Sequence, residues 1–241
     1  TVTFIFITVL VDCIGIGIIF PLIASLITEV SHVPVNKATT YSGWMMTLYA
    51  LMQFIFSPVL GGISDRYGRR PVLLLSLLGL GIDYLFLSVA HTLTLLFIGR
   101  IIAGICGASF TTSFAYIADV SPTEKRAQYF GMMGAAFGVG FIIGPVIGAL
   151  ASHWGVRAPF VVAAFLSLLN FLYGYFILPE SLKPENRRAF QWKRANPLGA
   201  FIQIKKSKNI RTLIFTMFLL YLAGQVMPSI WAFYTKFTYQ W

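Results

Sequence analysis

The sequence predicts an all-α, polytopic membrane protein, and three observations carry that prediction. Hydrophobic residues make up 57% of the 241 and charged residues only 11%, with a mean hydropathy of +0.78. No soluble domain of this length needs so much apolar surface. The apolar residues gather in runs, each near the ~20 residues that a helix needs to cross a bilayer. The basic residues fall almost entirely between alternate runs, on one side of the membrane.

Seven spans are read along the chain, over residues 3–28, 41–63, 71–90, 94–117, 127–150, 157–178 and 211–234. The first begins at once with Thr1-Val2-Thr3. No cleavable signal pattern precedes it, and the missing initiator Met is expected to reflect trimming. The spans after it are set by loops of alternating character. Arg66, Arg69 and Arg70 follow the second span, and Lys125 and Arg126 follow the fourth. Lys183, Arg187, Arg188, Lys193, Arg194, Lys205, Lys206, Lys208 and Arg211 follow the sixth. The opposite side holds only Lys37, Arg157 and Lys236. The positive-inside rule then puts the N-terminus and the even loops in the cytoplasm. This distribution assigns the net charge of +10 to topology and to anionic lipid, and away from nucleic acid. His32, His91 and His153 fall at outer ends of spans and read as interfacial polar residues. Cys13 and Cys106 lie inside spans and read as small packing residues, with no disulfide framework.

Three charges sit within the apolar runs: Asp12 in the first span, Asp83 in the third and Arg100 in the fourth. A charge near the bilayer centre costs about 2.5–3.5 kcal/mol on insertion scales. Such residues face a protein interior or a water-filled cavity, so they are transport-site candidates by default. Asp83 stands about 7 residues and Arg100 about 6 from the outer ends of consecutive spans, hence at similar depth. Whether their faces meet is open at this point. Arg100, Gly104, Gly107 and Thr111 share one helical face, which leaves room for water, a partner or a close helix. A structural ion pair that only holds helices together is the competing reading.

The loop after the second span reads Gly61-Gly62-Ile63-Ser64-Asp65-Arg66-Tyr67-Gly68-Arg69-Arg70-Pro71. Gly68 permits a tight reversal with positive φ, and Pro71 suits the first turn of the next helix. Asp65 can pair with the arginines and helix ends. The fifth span is glycine-rich. Gly140, Gly144 and Gly148 form one stripe for close approach, and Gly131, Gly134 and Gly138 lie on roughly the opposite face.

The loop resembles the signature G-x-x-x-D-R-x-G-R-R/K of the major facilitator superfamily, filled by Gly61, Asp65, Arg66, Gly68, Arg69 and Arg70. The resemblance implies a six-helix bundle of two inverted three-helix repeats over 1–178, a basic cytoplasmic interdomain loop over 179–210, and a seventh helix over 211–241 that begins a second bundle. It makes the loop a cytoplasmic gate, with Asp119 as acidic partner of a loop arginine, and links Arg100 to proton transfer. Gly140-x-x-x-Gly144-Pro145-x-x-x-Gly148 resembles the antiporter signature, though Ala149 stands where a second glycine is frequent. The tetracycline/proton antiporter branch is resembled by Val11-Asp12-Cys13 through Phe20-Pro21, by Asp83-Tyr84, by Ala115-Tyr116-Ile117-Ala118-Asp119, by Leu178-Pro179-Glu180-Ser181, by Asn196-Pro197-Leu198 and by Gly224-Gln225-Val226.

What the resemblance implies is proton-coupled export of an amphiphilic drug, with metal-chelated tetracycline as the leading case, by alternating access across the inner membrane. A carboxylate holds either a proton or a cation, so Asp83 first, then Asp12, would exchange one for the other, with Arg100 tuning either. Gln225 is a candidate for the substrate cavity. No resident cofactor or metal site is expected; a divalent metal such as magnesium would travel with the drug. The partners expected are the bilayer, the drug, protons and the second half of the same transporter. Two alternatives stand beside this: a proton-coupled transporter or multidrug exporter of another solute, and a scaffold with no turnover. No nucleophile–base set, ligand cluster or phosphate loop points to an enzyme.

Overall fold

The computed structural model describes residues 2–107, 109–192, 195–197 and 208–239. The side chains of residues 35, 36, 208–210, 225, 228, 229, 232, 233 and 236 lie outside the description, so Gln225 is not placed as a cavity residue. Lys193, Arg194, Lys205 and Lys206 of the basic loop also fall outside it.

The described chain is helical, with eight helices: α1 (Val2–Ser31), α2 (Val35–Tyr67), α3 (Arg69–Val89), α4 (Leu93–Cys106), α5 (Ser109–Val120), α6 (Arg126–Ser152), α7 (Ala158–Ile177) and α8 (Lys208–Tyr239). Helix is the only spanning form that satisfies each backbone polar group within its own segment. Six stretches are long and apolar enough to cross a membrane: Val2–Ser31, Lys37–Tyr67, Arg69–Val89, Leu93–Val120, Thr123–Ser152 and Ala158–Ile177. They coincide with the first six spans read from the sequence. The helix α8 runs through the seventh, with Arg211–Gly224 as its apolar stretch, and it touches α1 and α2.

The fourth span is one stretch, Leu93–Val120, within which a turn at Gly107 separates α4 from α5. A continuous helix would bond the Gly107 carbonyl within the ladder. Here the Gln53 side chain of α2 donates to it at 3.1 Å. Glycine leaves a helix at about 1 kcal/mol less penalty than alanine, so the break falls there.

The bundle is held by three dominant pairings: α1 with α6, α2 with α4, and α3 with α7. In span order these are first–fifth, second–fourth and third–sixth. Relating the first three spans to the next three carries first–fifth onto fourth–second and third–sixth onto itself. The packing therefore obeys the internal two-fold of two inverted three-helix repeats. Two apolar cores fill it. One joins Ile18, Leu26, Met45, Leu87, Leu96 and Phe160; the other joins Phe4, Ile5, Leu73, Tyr116, Ile117 and Met133 at the end where α1 begins.

Close approach depends on small residues. A Cβ on Gly144 would lie 2.7 Å from the Gly17 Cα and from the Ile14 carbonyl oxygen; one on Gly140 would lie 2.3 Å from the Cys13 Cβ. Gly131, Gly134 and Gly138 meet nothing within 4 Å. The two glycine faces of α6 are thus as the spacing predicts, one packed on α1 and the other bare. Cys13 and Cys106 are free thiols that fill such contacts, Cys106 against Gly79 of α3.

Candidate functional site

Two clusters of charge are assembled by this fold. The inner one lies between α2, α3 and α4. Asp83 on α3 is fully buried at 0% exposure, and Arg100 on α4 donates through Nη2 to its Oδ2. The equal depths read from the sequence thus become a direct pair. Gly99 makes room for it, since a Cβ there would stand 2.7 Å from Asp83 Oδ1. Gly104 lets α2 close over the same site, where a Cβ would lie 2.6 Å from the Tyr49 carbonyl oxygen and the Met52 Cβ. Gly107 and Thr111, on the same face, meet Gln53 and Ser57 of α2.

The pair is incompletely satisfied. Asp83 Oδ1 and Arg100 Nε are buried with no hydrogen-bond partner among the described residues. Both charges border a cavity of about 80 Å³ lined also by Ile16, Phe20, Tyr49 and Tyr84. That volume takes a few waters, well short of the ~300–1,000 Å³ of a drug-sized pocket. The described helices therefore supply a charged pair with an unpartnered carboxylate oxygen at the edge of a largely apolar recess.

Asp12 on α1 is 5% exposed and does not bond to Arg100 in this arrangement. Tyr49 and Tyr84 each lie within electrostatic range of Asp12, Asp83 and Arg100. Sequence reasoning did not place either tyrosine beside these charges. A phenol in an apolar span reads as packing unless its neighbours are known. Ser109 of α5 stands beside Asp12, with its Oγ short of hydrogen-bond geometry.

The outer cluster surrounds Gly68, the joint between α2 and α3. Gly68 has φ 110°, a backbone region open to glycine and strained for other residues. A Cβ there would also stand 2.1 Å from Glu180 Oε2, so glycine is required twice over. Arg69 Nη1 pairs with Asp65 at 2.5 Å, and its Nε bonds Asp119 Oδ2 of α5 at 3.0 Å. The same guanidinium donates to Ser64 Oγ at 2.7 Å. Arg70 Nη2 donates to the Tyr175 carbonyl of α7 at 2.6 Å. Arg66 lies over the Tyr67 ring, 5.0 Å from its centroid. Gly61, the first residue of the loop pattern, meets no neighbour at its Cβ position and accepts from Ser64 Oγ at 2.8 Å.

Glu180 completes the outer cluster, and its role was not read from the sequence. Its Oε1 accepts from the backbone N–H of Arg69 at 2.8 Å and from those of Ser181 and Leu182 at 3.0 Å. Its Oε2 accepts from Arg70 N–H at 3.3 Å. A carboxylate thus caps the otherwise unsatisfied N-terminus of α3, where the helix dipole favours negative charge. The signal available in the sequence was an acidic residue directly after an apolar span. Its partners lie 110 residues earlier, which spacing alone cannot connect. The segment beyond it continues across the loop: Arg188 N–H donates to the Asp65 carbonyl at 3.0 Å, and Phe190 covers Gly62.

Comparison with known proteins places this geometry. The family model described as Major Facilitator Superfamily matches residues 5–241. The chain is 42% identical over 234 residues to a tetracycline resistance protein of class C from Escherichia coli, covering 97% of this chain and 58% of the relative. It is 39% identical to a class H tetracycline resistance protein from Pasteurella multocida, covering 98% of this chain and 58% of the relative. A multidrug resistance protein 2 from Bacillus subtilis (strain 168) is 31% identical, covering 74% of this chain and 44% of the relative. The crystal structure of the human organic anion transporter MFSD10 (TETRAN) superposes with a TM-score of 0.78 at 21% identity, covering 100% of this chain and 66% of that one. At that identity the likeness shows the fold alone. The chain spans about 58% of the length of the first curated relatives it matches.

Proposed function

The chain belongs to the major facilitator superfamily, and from that premise we propose that the full-length protein is a proton-coupled drug exporter whose cargo is a metal-chelated tetracycline. It is a multi-pass membrane protein. On the proposed reading it sits in the plasma membrane with the N-terminus and the Gly68 loop in the cytoplasm, supported by the arginines and lysines of that face. Residues 1–178 act as one bundle, 179–210 as the connecting loop, and 211–241 as the start of a second bundle.

The observation that carries the reading is Asp83. It is fully buried, holds one oxygen on Arg100, and leaves the other without a partner among the described residues, beside a small cavity that Asp83 helps to line. A carboxylate in that position binds a proton or a cation in turn. Arg100 steadies the ionised form and releases it when a competing cation arrives. The complexed divalent metal enters as part of the substrate, so it needs no resident ligand set. The cluster at Gly68 would gate the exchange, since its ion pairs tie α3 to α2, α5 and α7 in one conformation and can be broken in another. Gly140, Gly144, Pro145 and Gly148 would keep α6 and α1 together as the bundle moves.

The test is drug-driven proton release in vesicles containing the full-length protein, with magnesium-chelated tetracycline as the drug. Release that depends on drug and metal supports the reading, and its absence sinks it. A second reading, a multidrug exporter, is favoured by the 31% identity to the multidrug resistance protein. Proton release driven by unrelated cationic drugs and indifferent to chelation would select it.

A further inference from the structure

Asp12 stands apart from the Asp83–Arg100 pair, and the hydroxyls around it are left unused by everything above. Ser109, Thr112 and Ser113 of α5 are 1%, 1% and 2% exposed, and none of their side-chain oxygens has a partner among the described residues. Thr8, one turn from Asp12 on α1, is 0% exposed with its Oγ1 in the same condition. Positions 109, 112, 113 and 116 share one helical face, and all four are buried. That helix packs against α1 and α3. Ser109 marks the end beside Asp12. At the other end the Tyr116 hydroxyl donates to the Pro179 carbonyl at 2.8 Å, and Pro179 is exposed at the surface that carries the Gly68 loop.

A serine or threonine in an apolar helix ordinarily bonds back to the carbonyl four residues before it. Thr28, Ser31, Thr47 and Ser152 do so here. The α5 hydroxyls do not. A buried hydroxyl with no partner costs about 1–3 kcal/mol. Ordered water removes that cost, each molecule making about three hydrogen bonds to such groups. From Ser109 to Tyr116 the helical rise is about 10 Å, a distance that a short file of water bridges.

We propose that Ser109, Thr112 and Ser113, with Thr8, hold a water file that carries protons between Asp12 and the Tyr116–Pro179 end of the bundle. The proposal rests on the proton-coupled reading of the protein. Each hydroxyl or water gives up its own proton as it receives another, so no net charge stays in the file and the proton ends on the Asp12 carboxylate. The other ionisable groups within electrostatic range of Asp12 are Cys13 on its own helix, Tyr84 on α3 and Tyr49 on α2; Asp83 and Arg100 act on those two tyrosines. The buried faces of α6 and α7 carry none. The path therefore reaches Asp12 from the loop-bearing surface without passing the Asp83–Arg100 pair.

The test reads two rates in vesicles containing the full-length protein: drug-driven proton release by a pH dye, and drug-for-drug exchange, which moves no net proton. The triple variant Ser109→Ala/Thr112→Val/Ser113→Ala should lose tenfold or more of the first while exchange stays within twofold. Unchanged proton release in the variant overturns the file and leaves proton coupling standing. No proton release in the unmodified protein overturns the coupling on which the file depends. If the triple variant does not reach the membrane, Ser113→Cys decides. A small water-soluble thiol reagent should modify it from the loop-bearing side, and an inert thiol overturns the proposal.

Discussion

The two charge clusters use the same chemistry under opposite conditions. Between α3 and α4 a single carboxylate meets a single guanidinium in apolar surroundings, and one polar atom of each is left over. At Gly68 one arginine serves Asp65, Asp119 and Ser64 together, with Asp65 43% exposed and Glu180 capping the adjacent backbone. The inner pair is fragile: removing one member strands a charge at about 3–5 kcal/mol. Any one outer pair is worth about 0–1 kcal/mol, and the set is redundant. On the proposed function, the contrast assigns the change of charge state to the inner site and the change of conformation to the outer one, whose individually weak pairs can part and re-form.

The sharpest way to break this comparison is Arg100→Ala. It should lower the thermal midpoint of the purified protein more than any other single change named here and abolish drug-driven proton release. Asp83→Asn should abolish release too, at a smaller cost in stability than Arg100→Ala, because an amide oxygen still accepts from the Arg100 guanidinium, whose side chain keeps 12% exposure. Full coupled exchange by Asp83→Asn would take Asp83 out of the mechanism, and Asp83→Glu should retain part of the rate. Gly68→Ala comes next. Its positive φ alone is worth about 1–3 kcal/mol, and the added methyl also meets Glu180. Pairing it with Glu180→Ala removes the clash and also uncaps α3, so the thermal midpoint of the double variant should lie below that of the unmodified protein and drop by less than the two single losses summed.

Asp65→Asn should shift the thermal midpoint little and lower transport sharply, because it biases a conformational equilibrium and leaves the fold alone. Normal transport by a well-expressed variant would reduce the loop to a topology signal. The smallest effect expected is the labelling of surface cysteines. Tyr67→Cys, at a position 55% exposed, should react only with reagents that enter the cytoplasm. Trp154→Cys, at 81%, should react from outside. Reversed labelling would turn the molecule over and exchange the two faces of the comparison.

The inner cluster was legible because charges inside apolar runs announce themselves. Asp12, Asp83 and Arg100 needed no structure to be singled out. Their grouping did: Asp83 meets Arg100 while Asp12 is left with hydroxyls, a division set by how α1, α3, α4 and α5 rotate. The glycine faces of α6 were legible from spacing because steric exclusion at a helix seam depends on period alone. The break at Gly107 was not, since the bond that stabilises it comes from Gln53, 54 residues earlier. Tyr49, Tyr84, Ser109 and Ser113 stayed hidden for a related reason. A hydroxyl's importance in a membrane depends on what it lacks, and a sequence lists only what is present.

The seam between α1 and α6 carries a consequence for how this protein can vary. Backbone lies so near backbone at Gly17, Gly140 and Gly144 that even a methyl group must displace the main chain. On the far side of the same helix, alanine at Gly131, Gly134 or Gly138 would meet open space. A library of single substitutions along α6, selected for growth in the presence of drug, would therefore survive in a rhythm of helical turns. The surviving positions would trace the outline of the helix's free face, and the empty ones would draw the line along which the two halves of the bundle are joined.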